Sequence, residues 1–156
     1  MRKIHLLIAT ATVVAIACGT RSRAGDDAIV VRCGVNMGII ADDGVRTDWG
    51  GSAAWTAELR ADTLSLRRTG RCGDECTYTE EVVLSDVGSA CPRLVAARRI
   101  RRESGSPAGR TETVLRAAHG TLDIQDWKVP YGRVSGRLQT ELALTFLVEL
   151  DSLETE

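Results

Sequence analysis

The chain predicts an all-β fold, an antiparallel β-sandwich or flattened barrel of about seven to nine strands. Three observations carry that expectation. First, residues 133–151, RVSGRLQTELALTFLVELD, alternate along their length. Val134, Gly136, Leu138, Thr140, Leu142, Leu144, Phe146, Val148 and Leu150 fall on one side of a pleat, and Arg133, Ser135, Arg137, Gln139, Glu141, Thr145 and Glu149 on the other. A helix would spread the leucines around its circumference, whereas a strand gathers nearly all of them on one face, with only Ala143 and Leu147 misplaced. Second, turn residues punctuate the chain at short intervals: Ala61-Asp62, Gly73-Asp74-Glu75, residues 104–110 and Pro130-Tyr131-Gly132. Third, no internal repeat, coiled-coil heptad or low-complexity tract points to another architecture.

Taken in order, residues 28–32 are a short β-branched run ending at Cys33. Residues 34–51 hold five glycines and three aspartates without periodicity, and so predict a long loop; one of that length is either functional or mobile. Trp55, Ala57 and Leu59 then share a face. A two-residue turn at Ala61-Asp62 would set Leu59 against Leu64 and Ala57 against Leu66, which matches the apolar faces of a hairpin. The CGDEC turn leads into a Thr-, Tyr- and Val-rich strand over 77–84, and residues 86–92 form a loop. Residues 94–102 suit a helix by their Ala and Arg content, but Val95, Ile100 and the short flanking loops fit a strand better. After the turn at 104–110, strands follow over 111–118 and 121–129, the latter with Leu122 and Ile124 on one face. As a single strand, the nineteen residues from 133 to 151 would run about 63 Å, far beyond the usual length. A bend at Gly136 or at Thr140-Glu141 is therefore expected.

The first residues, MRKIHLLIATATVVAIAC, place Arg2 and Lys3 before an uncharged apolar run over 6–16 that is too short to span a bilayer and reads as a signal peptide. Ala15-Ile16-Ala17-Cys18 resembles the bacterial lipobox, in which the cysteine thiol takes a diacylglyceryl group. The resemblance implies a bacterial lipoprotein lipidated on Cys18. Gly19 in the next position implies sorting to the outer membrane. Ordinary cleavage after Ala17, or after Ala24 in Ser22-Arg23-Ala24, is the alternative, and would leave a soluble periplasmic or secreted chain. On this reading 1–17 is the signal peptide, 18–27 a flexible polar tether and 28–156 one domain. Separately, GTLDIQDWKVPYGRVSGRLQTELALTF is similar to the glycine-punctuated C-terminal β-hairpin of uncharacterised bacterial lipoproteins of β-sandwich type.

With Cys18 consumed or removed, four cysteines remain, Cys33, Cys72, Cys76 and Cys91. An even number in an oxidising compartment predicts two disulfides. Of the three pairings, Cys72 with Cys76 and Cys33 with Cys91 is favoured, because Gly73-Asp74-Glu75 makes a tight loop between strands. Loop entropy assigns these closures roughly 2 and 4 kcal/mol, the longer loop more. Loss of Arg2 and Lys3 leaves 18 basic against 21 acidic residues, a net charge of minus 3 with no nucleic-acid footprint.

Site chemistry is sparse. His119 is the one histidine after the signal segment, and Gly132-Arg133-Val134-Ser135-Gly136 does not have the spacing of a nucleophile elbow. The cysteines lack the CxxC spacing of a zinc site. Asp42, Asp43 and Asp48 lack the EF-hand spacing. No metal, cofactor or catalytic residue is expected. Arg98, Arg99, Arg101 and Arg102 form the densest charge run; on a strand Arg98 and Arg102 face one way and Arg99 and Arg101 the other, so neither face should be deeply buried. Such a run protects an edge strand from pairing with other chains, or else contacts an anionic envelope ligand. Trp55 and Trp127 read as core or half-buried, and Trp49 as an exposed contact in the long loop. Few aromatics also argue against an outer-membrane barrel. The expectation is a non-enzymatic cell-envelope lipoprotein, a structural or interaction module, partnered by the membrane through its lipid and by an envelope protein or glycan. The alternative is a small binding domain for an envelope glycan or other anionic ligand, using Trp49 or the arginines.

Overall fold

The computed structural model describes residues 29–38, 54–106 and 109–150, and within them the chain forms nine strands and no helix. One sheet holds β1 (Ile29–Cys33), β7 (Gly120–Trp127), β8 (Arg133–Gln139) and β9 (Ala143–Glu149), in that spatial order. The other holds β2 (Thr56–Arg60), β3 (Thr63–Gly73), β4 (Cys76–Ser85), β5 (Arg93–Ser106) and β6 (Gly109–Arg116), in sequence order. All pairings are antiparallel except β1 with β7. Two open sheets pack face to face, so the architecture is the sandwich and not the barrel.

The core is built from the alternating leucines. Leu64, Leu66, Val82 and Leu84 on one sheet meet Leu122, Ile124, Leu138, Leu144 and Phe146 on the other, all at 1% exposure or less. Full burial of such a side chain contributes about 1.5 to 3 kcal/mol. The hairpin expected at residues 61–62 has the expected register, Leu59 against Leu64 and Ala57 against Leu66. Ala61 takes the left-handed φ of 50° there, as the first position of a primed hairpin turn requires.

The C-terminal stretch is two strands. The chain reverses at residues 140–142, where the Thr140 hydroxyl accepts from Leu142 N–H. Gly136 lies within β8, and the chain does not reverse there. It lies directly across from Phe146, whose ring packs over it, and a Cβ there would sit 2.5 Å from Phe146 Cζ and 2.8 Å from the Asp123 carbonyl oxygen. The register slip is on the neighbouring strand, between Ile124 and Asp126 of β7. The C-terminal hairpin is thus part of a three-stranded meander, β7-β8-β9.

Residues 94–102 are strand, and β5 continues to Ser106, which pairs with Gly109. The strands therefore reach into the segment expected to be a turn. A bulge at Val95 leaves that side chain 59% exposed and turns both Leu94 and Ala97 toward the core.

Both disulfides have the expected pairing. Cys33–Cys91 joins β1 to the loop before β5, tying the two sheets together, and Cys72–Cys76 closes the β3–β4 hairpin. Trp127 Nε1–H donates to Ser89 O (3.1 Å) and Trp55 Nε1–H to Thr145 O (3.0 Å), so each half-buried indole also bridges the sheets. Arg32 and Asp123, paired in register, form a two-pronged ion pair at 2.6 and 2.7 Å that locks the parallel β1–β7 edge. That contact raises the Arg32 pKa through the Asp123 hydrogen bond and charge.

Candidate functional site

The strands of the five-stranded sheet change character half-way along. On the inner face of β3, Leu64 and Leu66 enter the core, and the next inward residue is Arg68, 4% exposed. Across from it on β4 is Glu80, 1% exposed, and across from Glu80 on β5 is Arg99. Arg68 Nε donates to Glu80 Oε2 at 2.8 Å, and Arg99 Nε donates to Oε1 at 2.8 Å. One carboxylate is held by two guanidinium groups, one oxygen each.

The outer face repeats the pattern one residue away. Arg67, Glu81 and Arg98 are paired across the same three strands, with Arg67 Nη2 at 3.2 Å from Oε1 and Arg98 Nε at 2.5 Å from Oε2 of Glu81. Burial pushes the Glu81 pKa up, but hydrogen bonds and charge from Arg98 and Arg67 outweigh it and leave the carboxyl below its ordinary value. Two Arg–Glu–Arg rows thus stand back to back through one sheet. The rows differ on β3 and β4, where Arg68 and Glu80 are 4% and 1% exposed against 60% and 12% for Arg67 and Glu81, and not on β5, where Arg99 and Arg98 are alike at 38% and 34%.

Trp55 closes the inner row. Its ring lies over the Arg68 guanidinium, 4.7 Å from the centroid, and meets Phe146 edge-to-face at 6.1 Å. One indole therefore joins the apolar core to the charged row. Beyond the row, Tyr78 lies across from Gly70 with its ring where a Gly70 side chain would be, 2.5 Å from Cζ to a built Cβ. The Tyr78 hydroxyl is buried with no hydrogen-bond partner among the described residues. Next comes the Cys72–Cys76 disulfide, with Arg101 Nε donating to Cys76 Sγ at 3.3 Å.

The predicted arginine run is brought together here, with one correction. β5 is not an edge strand, because β6 covers its far side. Its inward arginines are not deeply buried, Arg99 at 38% and Arg101 at 48% side-chain exposure, yet Arg99 reaches a fully buried carboxylate, Glu80, that Arg68 also holds. The outward set has partners too, Arg98 with Glu81 and Arg102 with Glu112 (2.8 Å), and Arg101 pairs with Glu103. An arginine already carrying a carboxylate is a weaker phosphate ligand, because an incoming anion must displace that partner. Trp49 and Cys18, and the aspartates at 42, 43 and 48, lie outside the described residues.

Sequence reading missed Arg67, Arg68, Glu80 and Glu81. Part of the signal was present: Arg67-Arg68, Glu80-Glu81 and Arg98-Arg99 are three charged dipeptides, and folding the chain at residues 74–75 brings the first within one residue of the second, the register shift between Arg71 and Gly73 completing the match.

His119 is exposed at the turn before β7, with Nδ1 2.9 Å from Glu141 Oε1. Glu141 is pushed down to a pKa of about 2, first by the Ala118 N–H and then by His119. A carboxylate so stabilised is a poor proton acceptor near neutral pH; it fastens the β6–β7 connection to the β8–β9 turn. Among the described residues no group of three or more His, Cys, Asp or Glu side chains is placed to hold a metal ion, and no helix is long and apolar enough to cross a membrane. The chain matches no protein-family model, no curated protein and no solved structure.

Proposed function

We propose that this protein is a cell-envelope lipoprotein of bacteria, lipidated on Cys18, whose β-sandwich serves as a non-enzymatic structural or interaction module at the outer membrane. The observation that carries the reading is the pair of disulfides, Cys33–Cys91 and Cys72–Cys76, in one small domain. Such bonds persist in oxidising compartments outside the cytoplasm. The basic n-region, apolar run and Ala15-Ile16-Ala17-Cys18 supply the export and anchoring signals. Three acyl chains, as the lipoprotein resemblance implies, exceed what stable anchoring needs.

Internal pairing of the arginine run supports a structural part for that region over capture of an anionic glycan. Fractionation of cells expressing Cys18→Ala tests the anchor: the variant is expected in the soluble periplasmic fraction and the parent in membranes. Retention of the variant in the membrane fraction would sink the lipidated-cysteine reading.

A further inference from the structure

Among the described residues β6 ends the five-stranded sheet, and all eight of its residues are exposed. Its free side is set by the ladder on the other side. Ala117 N–H donates to Ala97 O, and antiparallel bonding alternates residue by residue, so Leu115, Thr113 and Thr111 bond toward β5. Arg110, Glu112, Val114 and Arg116 accordingly direct their N–H and C=O groups away from the sheet. The same even-numbered side chains lie on the outer face, in rows with Arg98, Ile100 and Arg102.

Two side chains there are electrostatically incomplete. Arg116 lies directly across from Arg98, a like-charge neighbour that is already bound to Glu81, and it has no carboxylate partner among the described residues. Like charges in that position repel. Glu112 uses Oε2 for Arg102, at 2.8 Å, and leaves Oε1 open. Between them Val114 is 42% exposed.

We infer that β6 is the dimerisation edge of this protein: two copies pair antiparallel about a two-fold axis at Val114, so that each Glu112 meets Arg116 of the other copy and the two sheets become one. This arrangement makes Val114 face its own symmetry mate, and Thr113 face Leu115, which is 43% exposed. Glu112 would then hold Arg102 from its own chain and Arg116 from the partner, repeating at the interface the two-arginine clamp that Glu80 and Glu81 have inside the sheet. The register is selective. A two-fold axis at Thr113 would set Arg110 against Arg116 twice, and one at Leu115 would set Arg116 against Val114 with no ion pair. A second copy fits because the strand is complementary to itself, as an isologous interface demands.

The test is sedimentation of the full chain, with both disulfides formed, in a density-matched detergent buffer over a concentration series reaching the millimolar range. The parent is expected to dimerise. Glu112→Arg and Arg116→Glu should each weaken the dimer about a hundredfold, because each sets like charges across the axis. Mixing the two variants should restore a heterodimer, since every contact then regains its opposite charge, and restoration also shows that both are folded. A parent that stays monomeric throughout, single variants that dimerise like the parent, or a mixture that stays monomeric would each overturn the inference.

Discussion

Two halves of one sheet solve the problem of burial in different ways. Where β3 and β4 face the smaller sheet, Leu64, Leu66, Val82 and Leu84 fill the space and any similar volume of hydrocarbon would serve. One pleat further along, Arg68 and Glu80 occupy the same face with nearly the same burial but need each other's charge, and Arg99, 38% exposed, completes the row from its solvent end. The apolar half supplies the energy. The charged half restricts register, because sliding β4 by one residue so that Thr79 faces Arg68 would leave a buried guanidinium without a carboxylate, while the opposite slide, which keeps a glutamate there, turns Val82 and Leu84 out of the core.

The largest effect should come from breaking that row. Glu80→Ala leaves Arg68 buried without its carboxylate and is expected to cost about 3 to 5 kcal/mol. Glu81→Ala, one residue away on the outer face, should cost only about 1 kcal/mol, because Arg67 is 60% exposed where Arg68 is 4%, and Arg98 keeps a third of its side chain in solvent. Urea midpoints of the two variants measure the difference, and equal losses would erase the distinction between the faces.

The glycine-aromatic pairs offer a second contrast. Gly136→Ala drives a methyl into Phe146 and the Asp123 carbonyl oxygen and should cost about 1 to 3 kcal/mol. Gly70→Ala should cost less, since the atoms it meets all belong to the Tyr78 side chain, which can swing aside. Thermal midpoints of the two variants decide the order.

A smaller change of opposite sign is expected at Tyr78. Tyr78→Phe removes a buried hydroxyl without a partner and should raise stability by about 1 kcal/mol, read from chemical denaturation. Outside both halves, Glu141 makes a pH-dependent contribution. Its folded pKa of about 2 lies below the ordinary 4.5, so its stabilisation is present above about 4.5 and is lost as pH falls toward 2. The stability difference between the parent and Glu141→Gln should therefore vanish across that window.

Local patterns explain why so much of the fold was legible. The two-residue turn at Ala61-Asp62 pairs residues of opposite parity, so the apolar phase shifts across it and the hairpin announces itself. The turn at residues 140–142 has three residues and pairs like parity, Leu138 with Leu144 and Val134 with Val148. Alternation therefore runs unbroken through it, which is why 133–151 reads as one long strand with an uncertain bend.

By itself, the sequence determined the strand class, the core leucines, the hairpin register at residues 57–66 and the favoured cysteine pairing, because period-two patterning and turn chemistry act over a few residues. Tertiary structure alone decided that β5 is an interior strand, that Gly136 makes room for a ring, and that four arginines and two glutamates form back-to-back rows. The physical reason is range. A charge has no meaning for burial until its neighbour is known, and here the neighbours are 12 to 19 residues away along the chain.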